Sequence, residues 1–293
     1  MKPAIGMIGV GLMGHGIAWN IAHAGHPVTL LDHAGNQPTA DLRGMGAVVV
    51  PSIAEVVAAS DIVILVVTGA PQVESILAGE GGVAAHLRAG MVVIDCSTSL
   101  PDVSVRMADL LAASGGRFLD AAMTRLPQHA RAGTLNLLVG GEAGLLDEVR
   151  PVLDLFSESI THVGGVGAGH RMKLLHNYVS LGFMSLLGEV AAHARTAGIQ
   201  PEILIDVLGK GGGGGAALDR VSPFLRTGDG SAVPFFISNA AKDLAYYRMM
   251  ASSSGCYHGI ADGVGQTLEA VVAAGHGQAF ISQLASLLPK AEG

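Results

Sequence analysis

One hexapeptide constrains this chain more than any other feature. Gly9-Val10-Gly11-Leu12-Met13-Gly14 fits G-x-G-x-x-G. It follows a short apolar run and opens a helical segment, the context in which that pattern carries meaning. Gly9 permits a tight turn, Gly11 lets a pyrophosphate approach the backbone, and Gly14 lets helix and strand pack closely. The amides of Leu12 and Met13 then face the phosphates at a helix N-terminus. Asp32 stands 18 residues after Gly14 at the end of the next apolar run. A carboxylate there accepts from a ribose 2′-hydroxyl and repels a 2′-phosphate. His33-Ala34 supply no Arg to hold such a phosphate, so NAD (NADH) is expected over NADP.

The segments around this loop alternate. Strands are predicted at 4–10, 27–32, 47–50, 61–67, 91–97, 117–123 and 135–139. Most are continuous apolar runs, as befits strands covered on both faces, with helical stretches between them. Ser52 with Glu55 reads as a capping box, and Pro101 sits in the first turn of a helix that stops before Gly115-Gly116. The fold class expected is α/β: an N-terminal Rossmann doubly wound parallel sheet, then an all-helical domain joined by a long interdomain helix. The division is expected as 1–164 for NAD binding and 165–293 for substrate binding and oligomerisation. A hydrophobic share of 49% supplies the cores. A net charge of −7 without a basic face argues against nucleic acid. No run suits a membrane span, and two widely separated cysteines fit a reducing cytoplasm.

After Gly164-Gly165-Val166-Gly167 the pattern turns helical. A helix from about 168 to 196 spans about 45 Å. Met172, Leu175, Val179, Phe183, Leu186 and Val190 recur on one face and Leu174, Leu181 and Leu187 on others, so burial on several sides is expected. Further helices are predicted at 201–208, 218–225, 238–251 and 257–274, with a short one at the C-terminus. Lys173, Asn177 and Ser180 share one face of the long helix. By spacing alone they are either a solvated Lys with a capping Asn, or polar groups addressing a cleft. Ser97 and Thr98 follow a strand end and either cap a turn or touch a cofactor. Gly211–Gly215 reads as a flexible connector or as a loop over a roomy pocket. The 12 histidines lack metal-ligand spacing, so no metal is expected. His170 and His176 flank Lys173, and His176 adjoins Asn177 in sequence but lies on a different face.

Several motifs in order resemble the β-hydroxyacid dehydrogenase family over nearly the whole length. Beside the glycine loop stand Asp95-Cys96-Ser97-Thr98-Ser99-Leu100-Pro101, and Asp120-Ala121-Ala122-Met123-Thr124 through Val139-Gly140-Gly141. Gly167-Ala168-Gly169 with Lys173 and Asn177, and Lys242-Asp243-Leu244, complete the set. The resemblance implies that Lys173 is the general acid/base. It implies that Asn177 orients substrate or Lys173, that Thr98 and Lys242 contact the cofactor, and that Asp243 lies near the site. It also implies a homodimer or homotetramer.

The chain departs from the family's D-A-P-V-S-G-G. Ala122 replaces Pro, Thr124 replaces Ser, and Arg125-Leu126 replace the two glycines. Thr124 keeps a hydroxyl for a substrate carboxylate. Arg125 is suited to a carboxylate, sulfonate or phosphate, or to a surface salt bridge. The change partly resembles sulfolactaldehyde reductases. The expected activity is interconversion of a small anionic aldehyde and its hydroxy acid. The rivals are an imine reductase-like enzyme, against which Lys173 argues, and a non-catalytic NAD-binding regulator.

Overall fold

The structure is a computed structural model that describes residues 2–288. The described chain forms two compact units that divide between Lys173 and Leu174, inside one continuous helix.

The first unit is built on an eight-stranded sheet. Its strands are β1 (Ile5–Ile8), β2 (Val28–Leu31), β3 (Val48–Val50), β4 (Ile62–Leu65), β5 (Val92–Asp95), β6 (Arg117–Thr124), β7 (Leu135–Gly140) and β8 (Ser157–Gly164). They lie in the order β3-β2-β1-β4-β5-β6-β7-β8. The first six are parallel, with the order reversing beside β1, so the Rossmann expectation holds. All seven predicted strands are present, most of them shorter than expected.

Two features of the sheet differ from the sequence reading. β7 runs antiparallel to β6. Only residues 125–134 join them, and a parallel crossover needs about a dozen residues or more. β8 lies at the sheet edge, parallel to β7, and was not predicted. Its sequence, Ser-Glu-Ser-Ile-Thr-His-Val-Gly, is largely polar because most of it is not buried. It therefore lacks the continuous apolar run that marks a strand covered twice.

The core of this unit gathers Ile5, Met7 and Leu30 from the sheet against Ile17 and Ile21 of the helix Leu12–His23. Across β6 and β7, Leu119, Leu137 and Val139 pack with Leu146, Val149 and Phe156. Each such side chain, buried in full, contributes about 2 kcal/mol. Half of the expected Ser52–Glu55 capping box forms: Ser52 Oγ accepts from Glu55 N–H at 3.3 Å, while Glu55 Oε1 accepts from the Ser52 hydroxyl at 2.8 Å.

The second unit is helical. Beyond the long helix Ala168–Thr196 it comprises Pro201–Lys210, Ala216–Thr227, Ile237–Ser253 and Gly259–Val271. A π-helical turn Val272–His276 and the short helices Ile281–Gln283 and Leu284–Leu287 follow. Arg248 clamps two of these helices, with Nε 2.9 Å from Asp262 Oδ1 and NH1 2.8 Å from Glu269 Oε1. Gly211–Gly215 forms a tight turn, closed by Gly214 N–H donating to Gly211 O at 3.4 Å. The long helix corrects the expectation of burial on several sides. Leu174, Leu181, Met184 and Leu187 are buried, while Met172, Leu175, Val179, Leu186 and Val190 are exposed in the single chain.

Candidate active site

The glycine loop joins β1 to the helix Leu12–His23, with Gly11 as its N-cap. Gly9 has φ +94°, a conformation in which an L side chain is strained, and a Cβ there would lie 2.2 Å from Val66 O. A Cβ on Gly14 would lie 2.0 Å from Gly9 O. The fold itself therefore demands both residues. Gly11 differs: a Cβ there would meet nothing nearer than Gly35 O at 3.9 Å. No protein neighbour requires a glycine at this position, and the open space above it lies where a pyrophosphate approaches helix amides. The residues present thus fit a dinucleotide.

The loop is fastened from the neighbouring strand. Asn36 Oδ1 accepts from Val10 N–H at 3.1 Å, its Nδ2 donates to Leu31 O at 2.9 Å, and Gln37 N–H donates to Val10 O at 2.8 Å. Sequence reasoning missed Asn36, because nothing in its spacing marks it. Asp32 is exposed just beyond β2, with its N–H donating to Val50 O at 2.8 Å. Gly16 was also unassigned. A Cβ there would lie 2.6 Å from Arg131 N, so its absence lets the helix Pro127–Ala132 pack against the cofactor helix. Asn20 Nδ2 bonds Ala130 O at 2.8 Å, and Arg131 stacks 3.7 Å over the Trp19 ring.

At the ends of β5 and β6 the motif residues separate by role. Ser97 is a turn residue: its Oγ accepts from Val67 N–H at 3.0 Å, and its N–H donates to Asp95 Oδ1 at 2.9 Å. Thr98, next in sequence, is half-buried. Asp95 is fully buried, and burial pushes its carboxyl up from the ordinary range. Asp120 is equally buried. Its Oδ1 accepts from Gly167 N–H at 2.7 Å and its Oδ2 from His170 N–H at 2.8 Å, so β6 supplies the N-terminal cap of the long helix. Thr124 is 7% exposed at the end of β6.

Arg125 has φ +81°, the only positive φ of a non-glycine among the described residues. This left-handed backbone favours glycine, the residue that the motif it resembles has here, and costs an L residue about 1 kcal/mol. Its NH1 donates to Thr134 O at 2.7 Å and pairs with Glu158 on β8. Among the described residues, Nε and NH2 make no hydrogen bond. His129 serves the next helix, its Nδ1 accepting from Leu126 N–H at 3.3 Å.

Lys173 lies in the second turn of the long helix and is 8% exposed. A turn later, Asn177 is buried and its amide is fixed from two sides. Nδ2 donates to Asp243 Oδ2 at 2.6 Å, and His176 Nδ1 donates to Asn177 Oδ1 at 3.0 Å. His176 therefore reaches its neighbour, which corrects the expectation that it serves another face. Lys242 Nζ lies 3.0 Å from Asp243 Oδ1. The second unit thus brings Asn177 together with the Lys242-Asp243 pair, Asp243 lying 66 residues further along the sequence. No group of three or more His, Cys, Asp or Glu suited to a metal occurs among the described residues.

Comparison with known proteins accords with this geometry. A family model described as the NAD binding domain of 6-phosphogluconate dehydrogenase matches residues 4–164. A second, described as NAD-binding of NADP-dependent 3-hydroxyisobutyrate dehydrogenase, matches residues 167–288. The chain is 32% identical over 226 residues to 2-(hydroxymethyl)glutarate dehydrogenase of Eubacterium barkeri, covering 77% of this chain and 75% of that protein. It is 35% identical over 198 residues to 2-hydroxy-3-oxopropionate reductase of Escherichia coli, covering 67% of each. Among solved structures, Mycobacterium tuberculosis 3-hydroxyisobutyrate dehydrogenase with L-serine superposes with a TM-score of 0.86. The identity is 26%, over 98% of this chain and 99% of that one.

Proposed function

Because this chain belongs to the β-hydroxyacid dehydrogenase family, we propose that it uses NADH to reduce a small anionic aldehyde, reversibly, to the corresponding hydroxy acid. The observation that carries this reading is Lys173, a nearly buried lysine one helical turn from the buried, doubly held amide of Asn177. Lysines are almost never buried unless they are paired, and one held so beside a fixed amide is suited to proton transfer.

When bound, the reduced dinucleotide supplies the hydride to the carbonyl carbon. Lys173 stabilises the developing alkoxide and passes its ammonium proton to that oxygen; in the oxidative direction it takes the proton back. Asn177 orients the substrate, its amide pinned by Asp243 and His176. Gly9, Gly11 and Gly14 with the amides of Leu12 and Met13 hold the pyrophosphate, Asp32 the ribose, and Thr98 and Lys242 further parts of the dinucleotide. Thr124 and Arg125 read the substrate anion, Arg125 through the Nε and NH2 donors that Glu158 and Thr134 leave unused. The functional division is residues 1–164 for NAD binding and 165–293 for substrate and assembly. The exposed apolar face of the long helix supports a homodimer or homotetramer. No described helix is long and apolar enough to cross a membrane. With two free cysteines, a reducing cytoplasm is the proposed setting.

The test is the initial rate of NADH oxidation with semialdehydes bearing a carboxylate or sulfonate, against uncharged aldehydes of equal length. A preference for the anionic members is expected, and equal rates would overturn the anion assignment. Arg125→Gly keeps φ +81° without strain and removes only the side chain. It is expected to lower kcat/KM for the preferred anion about 100-fold and to leave uncharged aldehydes unaffected. Asp32→Ala is expected to raise the NADPH-to-NADH ratio of kcat/KM at least about tenfold, because the carboxylate that repels the 2′-phosphate is gone. An unchanged ratio would remove Asp32 from the cofactor site.

A further inference from the structure

His170 lies one turn before Lys173 and belongs to none of the roles above, yet it is fully buried in the first unit. The residue bonds three segments, two of them through its ring. Nε2 donates to Ser97 O at 3.2 Å, beyond β5. Nδ1 lies 2.6 Å from Ser104 Oγ, on the helix Pro101–Ala113. Its backbone N–H donates to Asp120 Oδ2 on β6. Two buried carboxylates face the ring, Asp95 Oδ2 at 3.8 Å from Nε2 and Asp120 Oδ2 at 4.0 Å from Nδ1. Asp95 Oδ2 has no hydrogen-bond partner among the described residues.

A bare structural histidine would satisfy its own polar atoms. This one does more, because two of its partners, Ser97 and Asp120, belong to different motifs. Ser97 precedes Thr98 in D-x-S-T, Asp120 opens the substrate motif, and His170 itself sits in the helix that carries Lys173. Residues three apart lie on one helix face, and helical side chains lean toward the N-terminus. A side chain at Lys173 that follows this direction leans back toward the turn that His170 anchors. The position of the ammonium depends on that turn, and a displacement of about 1 Å costs about 100-fold in rate.

We propose that His170 is a positioning residue for Lys173, linking the Ser97–Thr98 turn and the helix Pro101–Ala113 to the first turn of the long helix through its two ring nitrogens. The proposal rests on the reading of Lys173 as the proton donor. Ring protonation is not needed for it. Ser104 Oγ serves either state, donating to a neutral Nδ1, or accepting from Nδ1–H while its own proton turns to Leu100 O at 3.3 Å.

Two variants separate positioning from mere packing. His170→Leu fills the space without polar atoms. His170→Gln offers an amide N–H to Ser97 O and an oxygen to Ser104. With the full-length protein, kcat for the best aldehyde is expected to fall about 100-fold in His170→Leu, with KM for NADH within about threefold of wild type, and to recover most of the loss in His170→Gln. A substrate-free readout runs in parallel: acetylation of Lys173 by acetic anhydride, measured by peptide mass spectrometry relative to the exposed Lys210. The ratio is expected to rise severalfold in His170→Leu and to match wild type in His170→Gln. Ser104→Ala, which removes one partner and leaves the ring, shifts it in the same direction and serves if His170→Leu does not fold. An unchanged ratio, or equal effects of Leu and Gln, would overturn the proposal. Failure of the wild type to turn over any aldehyde would count against the proposed function, while the labelling ratio would still decide the role of His170.

Discussion

Lys173→Ala is expected to lower kcat for aldehyde reduction about 1,000-fold, while the dissociation constant for NADH stays within about threefold of wild type. The size follows from the role. A positioned general acid contributes about 100- to 10,000-fold, and the ammonium adds electrostatic stabilisation of the developing alkoxide. The retention of NADH follows from the proposed binding set, since the dinucleotide loop that joins β1 to the helix Leu12–His23 takes no group from Lys173. Alanine also leaves room where the side chain was, so a small primary amine added to the variant is expected to restore part of the rate in proportion to its concentration. Stopped-flow kinetics with NADH fluorescence titration reads both quantities. Equal activity in wild type and variant would remove Lys173 from the reaction, and parallel loss of NADH binding would make it a structural residue.

The second large effect separates two glycines of one motif. Gly11→Ala is expected to keep the wild-type melting temperature within about 2 °C and to weaken NADH binding about 100-fold or more. Gly9→Ala is expected to lose both. At Gly11 a Cβ meets no protein atom nearer than 3.9 Å, so the added methyl disturbs only what approaches from outside. At Gly9 the Cβ would stand 2.2 Å from Val66 O on a backbone with φ +94°, so the turn itself must move. Thermal denaturation with and without NADH tests both variants. A Gly11→Ala protein that binds NADH as wild type would place the pyrophosphate elsewhere.

These contrasts show why parts of the molecule were legible and others were not. β1, β4 and β5 are fully buried, so their sequences are unbroken apolar runs that announce strands without any partner. β8 is an edge strand whose polar faces carry no such signature. The antiparallel β7 was readable in principle, because the connection over 125–134 is too short for a crossover. The helix Ala168–Thr196 was legible in length but not in exposure. A regular apolar stripe looks the same whether it faces a core or solvent, and here Val179 is 69% exposed.

The site divides in the same way. Gly9, Gly14 and Asp32 were readable because each answers a local backbone or spacing demand. Lys173 and Asn177 were readable as a face, yet spacing alone favoured a solvated lysine until motifs in order pointed to chemistry. The contacts that hold the site were hidden. Asp120 caps a helix that begins 48 residues later, Asn177 meets Asp243 across 66 residues, and His170 was marked only as a neighbour of Lys173, with no role. Such pairings arise from tertiary packing and leave no local periodicity. Arg125 was seen as a departure from the family, but its φ of +81° and its contact with Glu158 required coordinates.

The most direct test of the central claim is reduction of the anionic aldehydes with NADH deuterated at C4 on the transferable face, with the product followed by NMR. The account predicts one deuterium on the carbinol carbon of the hydroxy acid, at a rate that collapses in Lys173→Ala. Hydroxy acid formed without deuterium at that carbon, or no hydroxy acid from any aldehyde despite NADH binding, would contradict it.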